Sequence, residues 1–288
     1  MTPAIGTAGL ALLAMALLLS VACLLSTGRR AIRLRTVFGA FVLQVGLGGV
    51  ALYVPAGRAA LERLSTGVAS VIAYGQAGID FVFGDIGRYE VGFIFAFHVL
   101  PIIIFFSSLV AVLYHLGIMG WIIRVLGGGL RAVLGTSPAE SMSATANVFV
   151  SQTEAPLVIK PYVPRMTRSE LFAVMVGGMA TVAGSVLAGY VALGVELRYL
   201  IAASFMAAPG GLLMAKLLVP EEEEADAAER DLHLTIERSV NVFDAAATGA
   251  ANGLALAVNI GAMLLAFVGL IALLNGALAA LGGAAGLD

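Results

Sequence analysis

Long uncharged runs alternate along this chain with short charged segments, and most of the runs are long enough to cross a bilayer. Residues 3–27 carry no charge and form the first; ~20 apolar helical residues cover the ~30 Å hydrocarbon core. Residues 36–57 form a second. The uncharged run from Val91 to Ile123 is too long for one helix and divides at His115-Leu-Gly117, giving a third span over 91–115. Residues 171–195, 199–219 and 253–275 supply a fourth, fifth and sixth. Three stretches have a one-sided pattern instead. Over 58–79, Leu61, Leu64, Val68, Val71 and Ile72 recur at helical spacing, with Arg58, Glu62, Arg63, Ser65 and Ser70 largely off that stripe. Residues 118–134, with Arg124 and Arg131, and 228–247, with Leu232, Ile236, Val240 and Phe243 on one side, read the same way. These are helices suited to the membrane interface.

Residues 138–165 fit neither pattern. Ser137 stands as an N-cap, Pro138 at the first helical position and Glu140 at capping-box spacing. A helix from there to about Val150 reaches roughly 20 Å, short of the ~30 Å core. Pro156 suits the first turn of a second short helix ending near Lys160-Pro161. The spacing predicts a re-entrant helical hairpin with Asn147, Ser151, Gln152, Thr153 and Glu154 at its tip. Backbone broken in this way is tolerated at membrane depth only inside protein or beside a watery cavity. Polar side chains there mark a substrate or ion path. The competing reading is a satisfied helix break packed inside a bundle.

Composition agrees with the pattern. Hydrophobic residues make up 60% and charged residues 12%, and the mean hydropathy is +1.00; a soluble domain carries roughly 25% charged residues. The fold class is therefore an all-α polytopic membrane protein with about six transmembrane helices, interfacial amphipathic helices and one re-entrant hairpin. A net charge of -2 gives no reason to expect a nucleic-acid partner. The single Cys23 excludes an internal disulfide and a multi-cysteine metal site. Ser20-Val21-Ala22-Cys23 resembles a lipoprotein cleavage site, but no positive charge precedes the apolar run, so 3–27 reads as a span. Arg29, Arg30, Arg33 and Arg35 crowd one loop, which the positive-inside rule assigns to the cytoplasm. The chain then lies in the inner (plasma) membrane with its N-terminus outside and the hairpin entering from the cytoplasmic side, where Lys160, Arg165 and Arg168 stand at its exit.

Catalytic signatures are missing. Gly127-Gly128-Gly129 lacks the Gly-Lys-Ser/Thr of a phosphate loop, and neither Gly-x-Ser-x-Gly nor His-Glu-x-x-His occurs. His98 and His115 stand alone on apolar spans and read as structural; His233 reads as solvated. No enzyme and no cofactor are expected. Gln152 offers two donors and an acceptor, as a nucleobase edge requires, and Glu154 accepts hydrogen bonds from hydroxyl groups. In the fourth span, Thr181 and Ser185 among small residues read either as tight helix packing or, with Asn147 and the Val150 carbonyl, as an all-oxygen cation site.

The stretch Asn147-Val-Phe-Val-Ser-Gln-Thr-Glu-Ala-Pro-Leu-Val-Ile-Lys-Pro-Tyr162 resembles the first re-entrant hairpin of the concentrative nucleoside transporters. The likeness continues through Gly177-Gly-Met-Ala-Thr-Val-Ala-Gly-Ser-Val-Leu-Ala-Gly-Tyr190, Ala208-Pro-Gly-Gly211 and Asn241-Val-Phe-Asp-Ala-Ala-Ala-Thr-Gly249, and covers most of 36–280. The resemblance implies a cation-coupled nucleoside symporter, built as a homotrimer and importing nucleosides by an elevator-type alternating-access movement. It implies substrate contacts from Ser151, Gln152, Thr153, Glu154 and Val186. It implies a sodium site from Asn147 and Thr181 with the Val150, Thr181 and Val182 carbonyls, and sodium rather than protons as coupling ion. Ser151 departs from the family's usual glycine.

On this reading residues 1–57 are scaffold spans, 58–89 an interfacial helix and turn, and 90–116 a scaffold span. Residues 117–220 are a transport region, 221–250 an acidic loop and interfacial helix, and 251–288 a scaffold span and tail. The family continues with a second hairpin and further spans, so the 288 residues are expected to hold the first half of the binding site. The alternative reading is a non-transporting membrane scaffold or inactive fragment with a vestigial hairpin.

Overall fold

The computed structural model describes residues 3–88, 90, 92–150, 155–182, 184–223 and 239–284. The described residues form helices and connecting turns. Five helices are long and apolar enough to cross a membrane: 34–53, 55–86, 95–115, 197–218 and 242–282. An apolar helix α1, Pro3–Leu24, precedes them.

α2 (Leu34–Tyr53) and α3 (Pro55–Phe83) meet at a proline corner. Val54 is extended, with φ -84 and ψ 127, because the following proline ring excludes the helical conformation. α3 is longer than the interfacial helix read over 58–79. It has 29 residues, runs across the expected boundary at 57–58, and ends at Gly84, where φ is +56. The third span starts with a single turn, α4 (Phe95–His98), and then continues as α5 (Leu100–His115).

α6 (Ile118–Leu134) has the bounds read from the sequence. Gly117 and Gly135 enclose it with φ of +78 and +68, left-handed positions that stop a helix and suit glycine. Its buried face is Met119, Ile123, Gly127, Leu130 and Leu134, while Arg124 and Trp121 are exposed.

The hairpin follows as α7 (Pro138–Ala146) and a 3-10 segment, Ala155–Arg165. The fourth span is α8 (Arg168–Ala180) and α9 (Gly184–Ala192), two pieces rather than one rod. α10 (Leu197–Leu218) is the most enclosed span. Its Leu212 and Leu213 pack with Ala40 of α2, Leu134 of α6, Val148 of the hairpin and Ala173 of α8.

α11 (Val242–Ala284) is one helix of 43 residues. The sequence reading placed an interfacial helix over 228–247 and a span over 253–275, with a boundary at 250–251. That boundary falls inside α11, and residues 228–238 lie outside the described residues. Nothing between 242 and 284 stops a helix: no proline occurs there, and no charge lies between Asp244 and Asp288. α11 lies along α5 at close range, with Ser108 Oγ donating to the Ala246 carbonyl at 2.9 Å.

Candidate functional site

α7 is fixed at its start. Ser137 Oγ accepts the Glu140 N–H at 3.3 Å, and Glu140 Oε1 accepts the Ser137 N–H at 2.7 Å, a closed capping box. Every residue from Ala139 to Ala146 is buried. Two hydroxyls along it are bound locally, Ser141 Oγ on the Ser137 carbonyl at 2.7 Å and Thr145 Oγ1 on the Ser141 carbonyl at 2.8 Å, whereas the buried Ser143 Oγ has no partner among the described residues. The helix stops at Ala146, earlier than the sequence reading of about Val150. Residues 147–149 form a turn, in which Phe149 and Val150 both donate to the Ala146 carbonyl, at 2.9 and 3.0 Å. The returning limb is 3-10 helix, and its Ala155, Val158 and Ile159 pack against Met119, Ile123, Ala139 and Met142. The segment is therefore a folded-back hairpin packed on α6, not a spanning rod.

α8 repeats the arrangement. Thr167 Oγ1 accepts the Glu170 N–H at 3.1 Å, and Glu170 Oε2 accepts the Thr167 N–H at 2.9 Å. α8 then stops at Ala180, and Thr181 turns extended with φ -112 and ψ 155. A helix leaves its last four carbonyls without intrahelical donors. Here the Thr181 hydroxyl takes one of them, donating to the Gly177 carbonyl at 2.9 Å.

The hairpin turn and this break meet. A Cβ on Gly177 would lie 3.3 Å from Asn147 Nδ2, and one on Gly184 would strike the Phe149 carbonyl oxygen. Asn147 is fully buried, and neither its Oδ1 nor its Nδ2 has a hydrogen-bond partner among the described residues. An unpartnered amide in such a place costs about 1–3 kcal/mol unless something else is bound there. The structure thus sets Asn147 and Phe149 of the hairpin turn against Gly177 and Gly184, which flank the break that contains Thr181 and Val182, and Val186 is half-buried on the first turns of α9. Ser151, Gln152, Thr153 and Glu154 lie outside the described residues.

The sequence reading missed two things here. Gly177 and Gly184 were read as general small-residue packing, whereas each makes room for one hairpin group. Lys216 was passed over as part of the fifth span. It is buried and binds Glu140 Oε2 at 2.7 Å. A lone ammonium in an apolar run was the available signal. His98 is buried, stacks on Phe93 at 5.8 Å and takes the Ile94 N–H at 2.9 Å, a structural role. His233 lies outside the described residues. Among the described residues, no group of three or more His, Cys, Asp or Glu is arranged to hold a metal.

Comparison with known proteins agrees along the chain. The model for the Na+ dependent nucleoside transporter N-terminus matches residues 13–86, the nucleoside recognition gate matches 96–196, and the Na+ dependent nucleoside transporter C-terminus matches 199–288. The chain is 57% identical over 274 residues to an uncharacterized transporter of Haemophilus influenzae, covering 94% of this chain and 66% of that one. It is 54% identical over 267 residues to the nucleoside permease NupC of Helicobacter pylori, covering 91% and 63%. It is 43% identical over 253 residues to the human sodium/nucleoside cotransporter 1, covering 88% and 38%. Among solved structures, CNTnw in an inward-facing substrate-bound state superposes with a TM-score of 0.89 at 58% identity, covering 96% of this chain and 66% of that one. A CNTnw variant in an intermediate state gives 0.90 at 58% identity, covering 96% and 68%. The chain thus spans 66% and 63% of the lengths of the two bacterial relatives. With three consecutive family models and identities above half, this multi-pass membrane protein belongs to the Na+-dependent nucleoside transporter family.

Proposed function

We propose that this chain carries the hairpin half of a sodium-coupled nucleoside symporter that imports nucleosides by alternating access. The observation that carries this reading is Asn147: a fully buried amide with no partner among the described residues, held against the end of a broken helix. An amide oxygen with backbone carbonyls makes a neutral oxygen set of the kind hard cations prefer. In this reading Asn147 and Thr181, with the Val150, Thr181 and Val182 carbonyls, hold sodium. Ser151, Gln152, Thr153 and Glu154 bind the nucleobase and ribose, and Val186 packs on the base. Gln152 supplies the paired donor and acceptor a base edge needs, and Glu154 accepts from ribose hydroxyls.

The relatives support the assignment: one is named a sodium/nucleoside cotransporter and another a nucleoside permease. Residues 117–220 form the moving transport region, and the paired α5 and α11 belong to a scaffold that meets its copies as a homotrimer. The N-terminus lies outside the inner membrane, opposite the arginine loop.

Sodium-dependent thermal stabilisation and vesicle uptake test the site together. Asn147→Leu keeps the volume but removes the oxygen. It is expected to raise the melting temperature in sodium-free buffer, because an unpartnered polar group is gone. It is expected to abolish the added stabilisation from sodium, which for a single site is ~2.7 kcal/mol at one hundred times Kd. A variant that loses resting stability and keeps its sodium response would show that Asn147 is structural. Glu154→Gln is expected to leave sodium binding intact and to eliminate sodium-driven uridine uptake. Unchanged uptake would remove Glu154 from the site.

A further inference from the structure

Three helix ends converge on one buried ammonium. Lys216 lies in the last turn of α10 and is only 6% exposed. Its Nζ reaches Glu140 Oε2 at 2.7 Å, Ser169 Oγ at 2.9 Å and Glu221 Oε2 at 3.2 Å. The contacts to Ser169 and Glu221 are hydrogen bonds, and that to Glu140 is a close ion pair. The partners come from different elements. Glu140 closes the capping box of α7, Ser169 is in the first turn of α8, and Glu221 follows α10.

The ties continue beyond Lys216. Ser169 Oγ donates to the Val219 carbonyl at 2.7 Å, and Thr167 Oγ1, the cap of α8, donates to Glu221 Oε2 at 3.1 Å. At α7 the capping carboxylate itself, Glu140, pairs with the ammonium, and at α8 it is Ser169, the residue before the capping Glu170, that accepts from it. A compact charge of this kind at the end of an apolar helix is costly, and isolated salt bridges are weak grounds for stability. Its use lies in geometry. α7 and α8 are joined at their starts by Lys216, and at their far ends Asn147 lies against Gly177, whose carbonyl takes the Thr181 hydroxyl. The distance between the two halves of the cation site is the distance set at this base, carried along two short rigid helices.

We propose that Lys216 is a positioning residue for the sodium site: it fixes the starts of α7 and α8 to the end of α10 and so sets the spacing of Asn147 and Val150 against Thr181 and Val182. The proposal rests on the sodium reading given above. It assigns Lys216 no contact with ion or nucleoside.

The test measures sodium-dependent thermal stabilisation and vesicle uptake of uridine for wild type, Lys216→Arg, Lys216→Met and Lys216→Met/Glu140→Gln. The double variant leaves no unpaired carboxylate at Glu140, so it gives a folded sample if Lys216→Met does not. The proposal expects the sodium concentration for half-maximal stabilisation to rise at least tenfold in whichever methionine variant folds. Uridine uptake at saturating sodium should return to within twofold of wild type, and Lys216→Arg should restore most of the sodium affinity. A purely structural lysine lowers the melting temperature without moving the half-maximal sodium concentration, and that result overturns the proposal. If wild type itself shows no sodium-dependent stabilisation, the sodium reading fails, independently of what Lys216 does.

Discussion

Gly184→Val is expected to abolish sodium-dependent uptake and to lower the melting temperature by several degrees. Gly184 opens α9 directly beyond the helix break. A Cβ there would overlap the Phe149 carbonyl oxygen, and would stand 3.1 Å from its carbon and 3.3 Å from the Phe149 Cα. The obstructing atoms are backbone, so no rotamer change relieves them. Overpacking a tight site costs typically 1–3 kcal/mol, occasionally more. The damage is also local: the hairpin turn must move away from the break, and with it Asn147 and Val150. The half-maximal sodium concentration should rise by at least tenfold even in preparations that remain folded. A Gly184→Val protein with the wild-type sodium response would mean that the hairpin turn and the break do not form one site.

Gly253→Leu is expected to separate the two longest-contacting helices and to cost the protein more than any exposed substitution on α11. A Cβ at Gly253 would lie 2.8 Å from the Ile104 Cα and 2.8 Å from the Ser107 Cβ. One turn earlier, a Cβ at Gly249 would lie 2.6 Å from the Ala111 Cβ and 2.7 Å from the Ser107 carbonyl oxygen. The two glycines stand four apart, the spacing at which helix backbones approach closely in membranes. In lipid, contacts of this kind carry the association, because the hydrocarbon tails around the helices are as apolar as leucine. Leucine at Gly253 should cost about 1–3 kcal/mol, read as an earlier loss of the monodisperse peak on heating. Gly269→Leu is the matched control on the same helix, since a Cβ there meets nothing within 4 Å. Equal melting of the two variants would refute close packing at Gly253.

What the sequence disclosed follows from how local each signal is. The starts of α6 and α7 were readable because Gly117, Ser137, Pro138 and Glu140 act on their own neighbours. The small residues around Thr181 were legible as tight packing or part of a cation site, but the span of 171–195 was read as one piece and is two. The end of α7 was read too late, because Asn147 has helical φ and ψ and differs from a helix residue only in what surrounds it. The length of α11 was unreadable because hydropathy changes near 250 while helix propensity does not. A drop in polarity marks a change of surroundings, not the end of a helix. Lys216 was invisible as a three-way tie because its partners Glu140 and Ser169 lie 76 and 47 residues away in sequence, and only the fold brings them together.

The paired capping boxes have an electrostatic consequence. α7 and α8 both start at the Lys216 cluster and both finish beside Asn147. Each helix carries about half an elementary negative charge at its carbonyl end. Two such ends offset about one positive charge with backbone dipoles alone. A monovalent ion held there is matched in valence, whereas calcium or magnesium would leave an uncompensated charge in a medium of low permittivity. Backbone dipoles do not take up protons, so that match holds unchanged when the surrounding water becomes more acidic.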